Sequence, residues 1–136
     1  MAIRPNHRWQ TRVEEQAAQI AEGSLARDDA YAFTLWPETL RLNTNRAVAA
    51  FEAELRALAS PSDAEVMGVV ERLVLAMNRI DDQHRNAGLI GYETGERDEL
   101  CDYIDASLTE AGIDVAALEA RNGIERHALA DRWRRW

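Results

Sequence analysis

The chain has 136 residues, 46% of them hydrophobic and 29% charged, which fits a single globular domain with one buried core. Twenty-four acids stand against 16 arginines and no lysine, and the formal charge of −8 argues against nucleic acid or an anionic membrane as a partner. A single cysteine, Cys101, excludes an internal disulfide and a cysteine-built zinc site, and no apolar run approaches the roughly 20 residues that span a bilayer.

Apolar spacing is helical nearly throughout. Trp9, Val13, Ala17 and Ile20 form the stripe of a first helix, with Pro5 in its first turn and Gly23 at its end. Ser24 is placed to cap a short second helix. Tyr31, Phe33 and Leu35 alternate as in a strand, but a lone strand has no partner, so 30–36 reads as a short helix or an extended connector. Leu40, Thr44, Ala47, Phe51, Leu55 and Leu58 hold one helical phase over 37–59, with Asn43 to Asn45 as a candidate break.

Ser62-Asp63-Ala64-Glu65 is a capping box. The stripe behind it, Val66, Val70, Leu73, Met77 and Ile80, is widened by Val69, Val74 and Ala76, which marks a central helix near 63–84. Gly88 and Gly91 follow in a linker. Thr94 is placed to cap a helix to Ala111 whose inward stripe is Leu100, Tyr103, Ile104, Leu108 and Ala111. Gly112-Ile113 reads as a left-handed stop, and Asp114 as the cap of a short helix to Arg121. Asn122-Gly123 turns the chain into a last helix carrying Ile124, Ala128, Leu129, Trp133 and Trp136. The expected architecture is all-α: one compact domain over 1–136, a bundle of about six helices.

Charge is unevenly placed. Residues 93–119 hold nine acids against one base, Arg97, so the whole net charge of −8 lies in that window. Asp98, Asp102 and Asp105 fall on one face of the 94–111 helix, bordered by Glu99, with Glu93 and Glu96 at its start. Both chain ends are basic: Arg4, Arg8 and Arg12 open the sequence, and Arg121, Arg126, Arg132, Arg134 and Arg135 crowd its end. If these ends fold back on the acidic segment, the negative ridge disappears.

A second constellation lies at the end of the central helix, where Asn78, Asp81 and His84 share a face at spacings of three. With Glu93 and Glu96, Asp81 and His84 offer hard and borderline ligands for a divalent metal, the basis of an alternative reading as a metal-dependent hydrolase. Glu93-x-x-Glu96-x-x-Glu99 resembles one half of the paired-acid magnesium site of helical nucleotide pyrophosphatases. The second half is missing, since Glu65 and Glu71 stand alone on the central helix. The segment 114–132 resembles a helix-turn-helix with Gly123 in its turn, which implies Arg126 and Arg132 facing DNA. It departs from that pattern at Glu119, where a small residue is expected.

The run from Leu73 to Ile104, with Met77-Asn78 and Gly91-Tyr92-Glu93-Thr94-Gly95-Glu96-Arg97-Asp98-Glu99-Leu100, is similar to small acidic helical bacterial proteins, some of which are immunity partners of secreted toxins. The leading expectation is a cytoplasmic, non-enzymatic protein with no cofactor, no metal and no catalytic residue. It covers a basic site on a partner such as a nuclease-type toxin through Glu93, Glu96, Asp98, Glu99, Asp102 and Asp105. Tyr92 and the outer part of Tyr103 are the expected apolar anchors. Trp9, Trp36, Trp133 and Trp136 are either core or the seam of a homodimer.

Overall fold

The computed structural model describes residues 2–136. Among them six α-helices form: α1 Pro5–Glu22, α2 Tyr31–Leu35, α3 Glu38–Ala57, α4 Asp63–Asn86, α5 Thr94–Glu110 and α6 Val115–Arg121. Single 3₁₀ turns lie at Arg27–Asp29 and Leu129–Arg132, and no strand occurs among the described residues. The protein is a compact all-α bundle, and no described helix is long and apolar enough to cross a membrane.

The central element is α4. Ser62 Oγ accepts the Glu65 N–H at 3.1 Å and Glu65 accepts the Ser62 N–H at 3.1 Å, so two otherwise orphaned donors are satisfied reciprocally. Val66, Val69, Val70, Leu73, Val74, Met77 and Ile80 are all buried. At about 1.5–3 kcal/mol for each fully buried large side chain, this stripe dominates the core. α3 packs along it as one unbroken helix. Asn43 to Asn45 do not break α3, and the Thr44 and Asn45 side chains bond to other elements rather than to their own backbone. The Thr44 hydroxyl meets Tyr92 Oη at 2.6 Å, and Asn45 Oδ1 accepts from Arg4 at 2.8 Å and Asn6 at 2.9 Å.

The 30–36 segment resolves as a five-residue helix. Ala32 is fully buried there and its N–H donates to the buried Gln16 Oε1 at 2.9 Å. Ser24 caps no second helix; its hydroxyl donates back to the Gln19 carbonyl in the last turn of α1, and Ala26 precedes the 3₁₀ turn. Trp36 stacks on Trp9 with ring centroids 6.2 Å apart, and Tyr92 links Trp9 to Trp136. Trp9, Trp36 and Trp136 are therefore core, and Trp133 is packed partly against it.

The clearest departure is the C-terminus. Residues 124–136 form an irregular strap with one 3₁₀ turn, not a helix. His127 sits at φ +71°, which an α-helix does not admit. The strap is fastened instead by long-range polar bonds: Glu119, 1% exposed, accepts the Leu129 N–H, and Asn78 holds the Trp133 carbonyl and the Arg135 N–H. The second helix of a helix-turn-helix is thus not formed. Arg126 turns to Glu119, and Arg132 lies over the Trp133 ring.

Candidate functional site

Asn78, Asp81 and His84 do share a buried face of α4, and each latches a different part of the chain. Asn78 donates to the Trp133 carbonyl at 2.8 Å and accepts from Arg135 N–H at 3.0 Å. Asp81 Oδ1 accepts the Tyr92 N–H at 2.8 Å, and both its oxygens accept from Arg85 at 3.1 Å. His84 Nδ1 lies 2.8 Å from the Ile80 carbonyl, which can only accept. That nitrogen therefore carries the proton, and in the neutral ring Nε2 accepts from the Thr39 hydroxyl at 2.8 Å. Asp81 and His84 of the metal reading are engaged in these bonds, and the other two members, Glu93 and Glu96, form the cap of α5. No group of three or more His, Cys, Asp or Glu side chains among the described residues is placed to hold a metal ion.

The Asp81 latch sets where α5 begins. Gly91 runs so close to it that a Cβ there would lie 2.1 Å from Asp81 Oδ1. Two residues on, Glu93 rather than Thr94 is the cap of α5, forming a reciprocal box with Glu96. Tyr92 is drawn inside by the same turn: it is 2% exposed, its hydroxyl bonds Thr44, and burial pushes its phenol pKa up. Tyr92 is therefore a core residue, not a surface anchor. Glu96 is also buried, at 6% exposure, and burial raises its carboxyl pKa above the usual range. It serves the helix cap and is not available to a partner.

Tyr103 is 4% exposed, and its hydroxyl donates to Glu52. Glu52 in turn accepts from Arg4 at 2.6 and 3.1 Å, and that pairing holds its carboxyl pKa down. This Arg4–Glu52–Tyr103 network ties the start of α1 to α3 and α5. Nothing in the local spacing announces it, since its members are 48 and 51 residues apart.

The acids that remain on the surface of α5 differ in their company. Glu99 is bridged by Arg8, and Asp105 lies 3.5 Å from Arg126, so each chain end neutralises one of them. Arg85 stands 3.8 Å from Glu93. Asp98 and Asp102, one turn apart and exposed, are reached by no terminal arginine. Asp98 has only its neighbour Arg97, at 3.6 Å, and no ion pair or hydrogen bond from the described residues reaches the Asp102 carboxylate. The ridge of six carboxylates thus narrows to an exposed pair flanked by Glu93. No protein-family model, curated protein or solved structure matches the chain.

Proposed function

We propose that this is a non-enzymatic acidic binding protein that covers a basic site on a partner protein, as an immunity protein covers a nuclease-type toxin. The observation that carries the reading is the Asp98–Asp102 pair, exposed on α5 and, among the described residues, met by no guanidinium but that of the adjacent Arg97. Like charges one helical turn apart repel by a few tenths of a kcal/mol, a cost that a basic partner relieves. Around the pair, the 93–119 window carries an excess of eight negative charges, and among the described residues Arg8, Arg85 and Arg126 form ion pairs with it from outside. Such a field speeds encounter with a cationic surface, and burial at the interface centre then slows release.

The test is reversal of the pair, Asp98→Arg with Asp102→Arg, compared with wild type in affinity capture followed by a binding assay on the captured protein. Asp105 is left alone because its guanidinium partner, Arg126, also neutralises the buried Glu119. Partner affinity should fall by at least about tenfold, the scale of two interfacial charge reversals. Binding that survives the reversal unchanged rejects the reading.

A further inference from the structure

With Tyr92 and Tyr103 turned inward, the acidic face needs a different apolar contact, and a groove beside Asp102 supplies one. The N-terminal stretch 2–5 and the first turn of α1 run past α5 and leave a mostly apolar groove of about 380 Å³ between them. Ile3, Pro5, the Tyr103 ring and Ala106 form its walls, and Asp102 stands at its rim. Ile3 is 80% exposed, the most exposed large hydrophobic residue described.

Three further charged side chains border the groove, and each is already committed. Arg4 is held by Glu52 and Asn45, and Arg8 bridges Glu99 while lying over the Trp36 ring. The four charges of the lining balance, but Arg4 is paired with Glu52, which lies outside the lining, so Asp102 is the one lining charge that no ion pair from the described residues meets. The volume sits at the small end of binding pockets, room for one or two side chains rather than a folded element.

We infer that this groove receives an arginine- or lysine-bearing segment of the partner, the cationic head on Asp102 and the apolar stem on Ile3, Pro5 and Ala106. Long cationic side chains lie along apolar surface in this manner while their charge stays in water. A pocket that excludes water from an anchor's stem is also where interface energy concentrates. The inference rests on the acidic-face reading and adds to it the anchor's chemistry and its seat.

The test is titration of the ¹⁵N-labelled full-length protein with a blocked Ser-Leu-Arg-Leu-Ser peptide, followed by amide shifts. Controls carry Glu in place of Arg, or Gly in place of both Leu. Saturable shifts are expected at Ile3, Asp102, Tyr103 and Ala106. Asp102→Asn should weaken them about fivefold, and loss of the leucines about tenfold. Ala106→Trp, on an exposed helix position, should fill the groove and remove them.

Salt-sensitive shifts at Glu93, Asp98 and Asp102 that spare Ile3 and Ala106 and ignore Ala106→Trp would overturn the groove while leaving the acidic face standing. No movement anywhere on α5 would overturn both. Groove shifts that are equal for the Glu peptide, or insensitive to Asp102→Asn, would overturn the cationic occupant. Movement of the same amides on concentrating the protein alone would identify a second copy as the occupant and overturn the foreign segment.

Discussion

Replacing Gly91 by Ala should cost about 2–4 kcal/mol, far more than a one-carbon change normally does. The added methyl carbon would lie 2.1 Å from Asp81 Oδ1 and 3.0 Å from both Asp81 Cγ and Arg85 Nε. Ordinary contact needs roughly 3.5 Å, so the carboxylate or the loop must move by more than 1 Å. If the carboxylate moves, the Tyr92 N–H at 2.8 Å loses a charged acceptor and is left buried, worth about 1.5–3 kcal/mol. If the loop moves, Tyr92 is dragged off Thr44 and Trp136, an overpacking cost of about 1–3 kcal/mol. For a chain of this size each kcal/mol lowers Tm by roughly 3–5 °C, so a fall near 10 °C is expected in a thermal melt. Gly95→Ala is the control: nothing lies within 4 Å of its added carbon, and it should be neutral or gain about 0.5 kcal/mol. In an Asp81→Ala background the Gly91→Ala penalty should drop below about 1 kcal/mol, because the clashing oxygens are gone. A Gly91→Ala protein within about 0.5 kcal/mol of wild type would refute the reasoning, as would a penalty undiminished without Asp81.

Two other perturbations separate the remaining devices. Asn78→Ala orphans the Trp133 carbonyl and the Arg135 N–H; it should cost about 2 kcal/mol and raise hydrogen exchange at Arg135 before that at α4. Glu96→Gln keeps an acceptor for the Glu93 N–H but removes a carboxyl whose folded pKa is raised by burial above its unfolded value of 4.5. A raised carboxyl penalises the fold at neutral pH, and the penalty is relieved as pH falls through the folded pKa toward 4.5. The variant should therefore match or exceed wild-type stability at pH 7 in urea unfolding, and its advantage should shrink as pH falls toward 5.

The helices were legible where local signals agree with packing. The Ser62–Glu65 box and the valine-rich stripe behind it fix α4, and Gly112 with Ile113 closes α5 by bonds back to Leu108 and Thr109. The acids of α5 were legible as a charge excess, but their separate fates were not. Glu96 is buried because the box with Glu93 starts α5 one residue earlier than a threonine cap at Thr94 would, and Glu99 and Asp105 are met by arginines 91 and 21 residues away in sequence. The tail from Ile124 to Trp136 shows how apolar spacing misleads. Leu129 and Trp136 are buried as a helical stripe would have them, yet the backbone reaches those seats through Glu119 and Asn78. Partners so distant leave no periodic trace, and a buried Glu119 reads locally as one more surface acid.

The exposed Asp98–Asp102 pair is the steering charge of the proposed binding face. Its most direct measurement is the association rate of the captured partner as ionic strength rises, for wild type and for the double arginine reversal. Wild type should be fast at low salt and slow by at least about tenfold on crossing physiological ionic strength, while the reversed protein should be slow throughout. Equal rates for the two proteins, both flat with salt, would contradict it.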